Sequence, residues 1–200
     1  MTKTAVTVLA VALLTMLFVV PVMATPKDSS SARHEYPATD NYEEISYDDL
    51  TALCVAAGLS KNPYPAPLTS TGDFNPVTGV YHIYGASEYY VLTMTIGNEA
   101  YPSVACNTFD VTGNAYTGNG HIDYKTTHYF GDLGKLNHGF AGIATVDFYS
   151  DGMPNEYFTG SWGMQGFGRF TGQTLLLEQD SRTSDVGSGY CFVLGNKWYK

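Results

Sequence analysis

Apolar and polar residues alternate with a period of two over much of the chain beyond Val80. In Glu88–Gly97, Tyr90, Leu92, Met94 and Ile96 fall on one face, and Val91, Thr93 and Thr95 on the other. In His121–Phe130, Ile122, Tyr124, Thr126, His128 and Phe130 share one face. His121, Asp123, Lys125 and Thr127 share the opposite one, which belongs in water. Further strands are predicted over 80–84, 103–111, 140–149, 156–163, 167–178 and 188–194. Gly118-Asn119-Gly120 and Asp151-Gly152 read as turns. Roughly eight short strands at close spacing predict a mainly β fold: an eight-stranded antiparallel β-barrel or, alternatively, a β-sandwich. Closure favours the barrel, because no strand carries obvious edge protection. Glycines within these strands, among them Gly85, Gly160 and Gly163, suit tight coiling at barrel corners.

The N-terminal part has a different texture. Leu50, Leu53, Cys54 and Ala57 recur at helical spacing behind a Ser46 cap, with Asp49 three residues on and Gly58 as a stop. One short helix over 46–57 is expected to precede the barrel. Residues 60–79, rich in Pro, Ser, Thr and Gly, read as a linker. Residues 25–45 are polar and irregular and read as a flexible leader. Before them, Lys3 stands ahead of an uncharged apolar run from Ala5 to Val20, and Val22-Met23-Ala24 places small residues at the positions a signal peptidase requires. The run is shorter than the roughly 20 residues that cross a bilayer. The resulting division is a signal peptide over 1–24, a leader over 25–45, helix and linker over 46–79, and a barrel domain over 80–200. The expected location is secreted, extracellular or periplasmic, with no membrane attachment after cleavage.

Charge narrows the choice of partner. The 200-residue chain has a net charge of −9, which becomes −10 once Lys3 leaves with the signal. Such a chain repels phosphate backbones, so nucleic acid is excluded as a partner. The three cysteines, Cys54, Cys106 and Cys191, are too far apart for a CxxC motif. Outside the cytoplasm they predict one disulfide and one leftover thiol. Cys54 is the expected participant, because a bridge would hold the helix to the barrel, but three pairings are open.

Two stretches carry a family resemblance. Tyr129-Phe130-Gly131-Asp132-Leu133-Gly134 is followed by Gly166-Phe167-Gly168-Arg169-Phe170-Thr171-Gly172. Together they resemble allene oxide cyclases, and the second motif also resembles the related dirigent proteins. The resemblance implies an eight-stranded antiparallel barrel over roughly residues 80–195, assembled as a homo-oligomer, whose interior holds an apolar or aromatic small molecule. In the cyclases an acidic residue deep in the barrel carries the chemistry. Glu88 opens a strand here and Glu178 ends one, and neither stands in a matching motif. Gly166, Gly168 and Gly172 are expected to be structural, letting a strand curl, with Phe170 pointing inward.

Candidate chemistry is sparse. His121 and Asp123 lie on one strand face and could touch one metal, but His128 faces the other way, so no metal site is predicted. Asp147 is placed on a polar strand face and Asp151 in a turn. Sixteen tyrosines are many for a chain this size; tyrosine combines a large apolar body with one polar tip and suits a cavity wall. His128, Tyr84, Tyr90 and Phe170 are the expected ligand-binding residues. The first expectation is a secreted barrel that binds a small apolar or aromatic molecule without a cofactor. The alternatives are a cyclase or isomerase in the same barrel, and a structural or adhesive protein using an aromatic outer face. A pocket with an ionisable floor would favour the enzyme, a dry pocket binding, and a filled barrel the structural role.

Overall fold

The period-two segments form strands, and the strands close on themselves. The computed structural model describes residues 33–150 and 156–194. Its elements are β1 (Arg33–Ile45), α1 (Tyr47–Ala56), β2 (Thr71–Phe74), β3 (Val80–Ile96), β4 (Glu99–Asn114), β5 (Asn119–Phe130), β6 (Gly139–Ser150), β7 (Glu156–Phe167), β8 (Gln173–Asp180) and β9 (Ser188–Leu194), with a 3₁₀ turn at Gly168–Phe170. All pairings are antiparallel. The ring runs β1-β9-β8-β7-β6-β5-β4-β3 and returns to β1. This is an eight-stranded antiparallel barrel, and the remaining strand, β2, extends β3 beyond the point where β1 leaves it.

β1 is the closing strand. Its first half pairs with β9, from Arg33↔Leu194 to Thr39↔Ser188, and its second half with β3, from Ala38↔Ile96 to Ile45↔Tyr89. The expected flexible leader over 25–45 is therefore corrected from Arg33 onward, and the barrel begins there rather than at residue 80. The linker too contains a strand, β2. The runs 80–84 and 88–97 are one strand, β3, interrupted by a bulge between Ile83 and Ala86. Gly85 sits in the bulge at φ +66°, a conformation that favours glycine, and its N–H donates to Asp110 Oδ1 at 2.8 Å. The expected strand 167–178 is also corrected, since the chain turns through Gly168–Phe170 before β8 begins at Gln173. The signal segment 1–24 and the Asp151-Gly152 turn lie outside the described residues.

Alternation divides the side chains between two cores. The inner one fills one end of the barrel. Phe130, Phe140 and Phe170 are fully buried there, with ring centroids 5.1 Å (130–170), 5.3 Å (140–170) and 5.4 Å (130–140) apart, and Tyr101 packs 5.5 Å from Phe170. Met94, Ile96, Met164, Leu175 and Cys191 complete this plug. Gly168 places Phe170 in it: φ is +61°, and a Cβ would stand 2.0 Å from the Asn137 carbonyl oxygen, so no other residue fits without rearrangement.

The second core lies outside the wall. α1 begins at Ser46, whose Oγ accepts the Asp49 N–H at 3.1 Å, and it buries Leu50 and Cys54 against Tyr64, Tyr89 and Val104. Leu53, counted in the apolar stripe, is 41% exposed. The expected disulfide is corrected: all three cysteines are free thiols. Cys54 and Cys106 belong to the outer cluster, whereas Cys191 is inside the barrel with its Sγ 3.6 Å from Gln173 Oε1, so the wall separates it from Cys54. Tyrosines take the place of a bridge. The Tyr89 hydroxyl donates to the Pro65 carbonyl at 2.9 Å, and the Tyr64 hydroxyl accepts the Gly134 N–H at 3.1 Å. These contacts pin the proline-rich segment to the barrel.

Candidate functional site

The plug fills only one end. Successive inward positions of β3 change from Ile96 and Met94 in the plug to Leu92, Tyr90 and Glu88 toward the other end. Those of β1 change from Ala38 to Asp40, Tyr42 and Glu44. Above the plug is a cavity of about 390 Å³, a size at which small-molecule sites are found. Every barrel strand except β9 contributes to its lining. Leu92, Ala105, Ile122, Val146, Phe148, Phe158 and Trp162 make the apolar wall, and Tyr42, Tyr90 and Tyr124 add rings with polar tips. Asp40, Glu44, Glu88, Asn107, His128 and Gln179 supply the remaining polar groups. No lysine or arginine lines it among the described residues.

Cross-strand register explains why these side chains meet. Glu88 is opposite Asn107, and Tyr90 is opposite both Glu44 and Ala105, which is itself opposite His128. The Glu88 carboxylate accepts from Asn107 Nδ2 at 3.1 Å, and the Tyr90 and Tyr124 hydroxyls lie near enough to favour its charged form. Burial nonetheless outweighs these three groups and pushes its pKa above the usual glutamate range. The Tyr90 and Tyr124 hydroxyls are pushed up as well, by burial first and then by the negative charge of Glu88. Tyr42 is edge-on to Tyr90 at 5.4 Å and takes an N–H from Gln179 Nε2 at 3.0 Å. Asp40 holds the barrel's seam together. Its Oδ1 accepts the Gly187 N–H at 2.6 Å, tying the β8–β9 loop to β1, while burial raises its pKa.

Deeper in, the polar groups run out of partners. His128 is 5% exposed, and its Nδ1 has no hydrogen-bond partner. Burial drives its pKa down to about 4, so the ring is neutral at pH 7. Thr126 Oγ1 and Asn107 Oδ1 are likewise buried and unpartnered. Two of these three atoms, on Asn107 and His128, belong to residues that line the cavity, which is unusual because buried polar groups are nearly always satisfied.

The residues singled out from sequence separate into three groups. His128 and Tyr90 line the cavity. Phe170 belongs to the plug beneath it. Tyr84 stands outside, 46% exposed and stacked on His82 at 5.9 Å. Gly166 and Gly168 have structural roles: a Cβ on Gly166 would meet the Phe170 carbonyl oxygen at 2.0 Å. Gly172 has a positive φ of +86° in the turn before β8. His121 is on the outer face between two carboxylates, with Nδ1 2.6 Å from Asp147 Oδ1 and Nε2 3.3 Å from Asp123 Oδ1. These contacts raise its pKa, the Asp147 hydrogen bond contributing most. The outer-face carboxylates therefore pair with His121, and the described residues hold no cluster of three metal-ligating side chains. Glu178 is exposed on the outside. Sequence reasoning missed Glu44, Asp40, Asn107, Gln179 and Trp162. No family model, curated protein or solved structure matches the chain.

Proposed function

We propose that this protein is an exported barrel that binds a small molecule with an aromatic or apolar body in its interior. The carrying observation is the cavity of about 390 Å³ left between the phenylalanine plug and the open end, walled by aromatic rings. A structural protein has no use for that space, since an unfilled interior sacrifices packing contacts. The leader pattern ending at Val22-Met23-Ala24 supports export, and a mature mass beginning at Thr25 is the expected product. Trp162 provides the binding assay. In a Trp198→Phe background it is the sole tryptophan, and titration with the uncharged fluorophore N-phenyl-1-naphthylamine should give saturable one-to-one energy transfer. Ala105→Phe, which fills the cavity from its wall, should abolish the signal while the far-UV circular dichroism stays native. Unsaturable transfer, or transfer unchanged by Ala105→Phe, would refute the reading.

A second reading has one observation behind it. Glu88 is a carboxyl held above its ordinary pKa with two phenolic hydroxyls beside it. A group in that state can hand a proton to a bound molecule and take it back, as an isomerase or cyclase requires. Recovery of a bound compound as its isomer, lost in Glu88→Gln, would select this reading over simple binding.

A further inference from the structure

We infer that the cavity selects a cationic ligand: a small molecule carrying an ammonium group on an aromatic or apolar body. The inference rests on the cavity-binding reading above and adds the sign of the ligand's charge.

Hydrogen-bonding capacity in the cavity is one-sided. Glu88, Glu44 and Asp40 bring three carboxyls to its lining, and no lysine or arginine among the described residues faces them. Asn107 turns its only donor group toward Glu88, leaving Oδ1 buried, unpartnered and accepting. The hydroxyls of Tyr90 and Tyr124 lie beside Glu88, where they favour its carboxylate. What is in excess is acceptors, and an ammonium offers three donors and no acceptor. An anionic ligand would meet like charges in a space of low polarity.

The aromatic rings point the same way. Tyr42, Tyr90, Tyr124 and Trp162 line the same cavity as these carboxyls, and the faces of tyrosine and tryptophan attract cations. Glu88 gives the arrangement its economy. Its burial disfavours the carboxylate in the empty cavity, and a bound ammonium would supply the missing countercharge. The apolar wall of Val146, Phe148 and Phe158 would then take the ligand's body.

Three compounds of one shape test this on the full-length mature protein by titration calorimetry at pH 7.5: 2-phenylethylammonium, 2-phenylethanol and 3-phenylpropanoate. The expected order is ammonium at least tenfold tighter than the alcohol, with the carboxylate weakest. Glu88→Gln, a neutral replacement of the same shape, should bring the ammonium to within about threefold of the alcohol in the same variant. The wild-type series decides the matter even if that variant folds poorly. If the alcohol or the carboxylate binds as tightly as the ammonium, the charge selection is overturned while cavity binding survives. If none of the three binds and N-phenyl-1-naphthylamine fails as well, the cavity reading itself falls, and the inference with it.

Discussion

His128 should make this barrel acid-labile through a group that is buried in the native state. The ring is buried and neutral, with its pKa down at about 4, while in the unfolded chain it returns to the ordinary value near 6.5. As pH falls below about 6.5 the unfolded state takes up the proton first, so stability is lost from there until the native ring also titrates near 4. At roughly 1.4 kcal/mol per pH decade, the whole span is worth ~3 kcal/mol, of which ~2 kcal/mol is gone by pH 5. Glu88 and Asp40 act in the opposite sense. Their native pKa values are raised, so the native state binds their protons first, and acidification through that window adds stability. Wild-type acid titration therefore mixes opposing terms, and the difference from His128→Leu isolates the histidine. At pH 7 the variant should lie within about 1 kcal/mol of wild type, because Nδ1 has no partner to lose. Urea unfolding at pH 7, 6 and 5 measures the gap. It should shift by ~2 kcal/mol toward the variant by pH 5. Parallel loss in the two proteins would show that His128 is solvated or paired, and would refute the buried floor.

Two further predictions probe the plug and the outer layer. Phe170→Ala should cost roughly 3–5 kcal/mol by emptying the plug, whereas Arg169→Ala, at an exposed position with its guanidinium 5.2 Å from the Phe170 ring, should cost less than about 1 kcal/mol. Coincident thermal melts for the pair would remove residue 170 from the core. Mapping of alkylated peptides under non-reducing conditions should find Cys54, Cys106 and Cys191 as thiols; a bridge between Cys54 and Cys191 would contradict the wall that separates them.

What could be read from the sequence depended on whether a strand's two faces differ in polarity. β5 was legible because Ile122, Tyr124, Thr126, His128 and Phe130 alternate with polar residues, and that alternation put His128 inside. β3 was legible in two pieces, since Gly85 breaks the period at the bulge. β1 was not legible at all. Its cavity-facing residues include Asp40 and Glu44, and its outward ones Thr39, Asn41 and Glu43, so both faces are polar and no alternation survives. The residues that hide the strand are the ones that build the cavity, which is where local sequence rules are expected to fail. Glu88 was visible as a carboxylate at a strand start, but its two tyrosines and its amide come from three strands. The number of short strands and the lack of edge protection led to an eight-stranded barrel, and the reading of residues 166–172 put Phe170 inside it, but the segment around Gly168 forms a turn into the plug rather than a curled strand.

The dual role of β1 links binding to stability. This strand closes the ring through β9 and β3, and it also carries two of the three cavity carboxyls, the third being on β3 across the same seam. A register slip of one residue would turn Asp40, Tyr42 and Glu44 outward and present Thr39, Asn41 and Glu43 instead, so the ring could close while the cavity lost its character. The native register is held by Asp40 through Gly187 and by Tyr42 through Gln179. A cation between the carboxyls of β1 and Glu88 would add a bond across the seam without touching the plug. It would stabilise the fold by mass action, and most of that gain should appear as slower hydrogen exchange in the β1–β3 ladder, from Tyr89 to Ile96, rather than in the β6–β7 ladder on the far side of the ring.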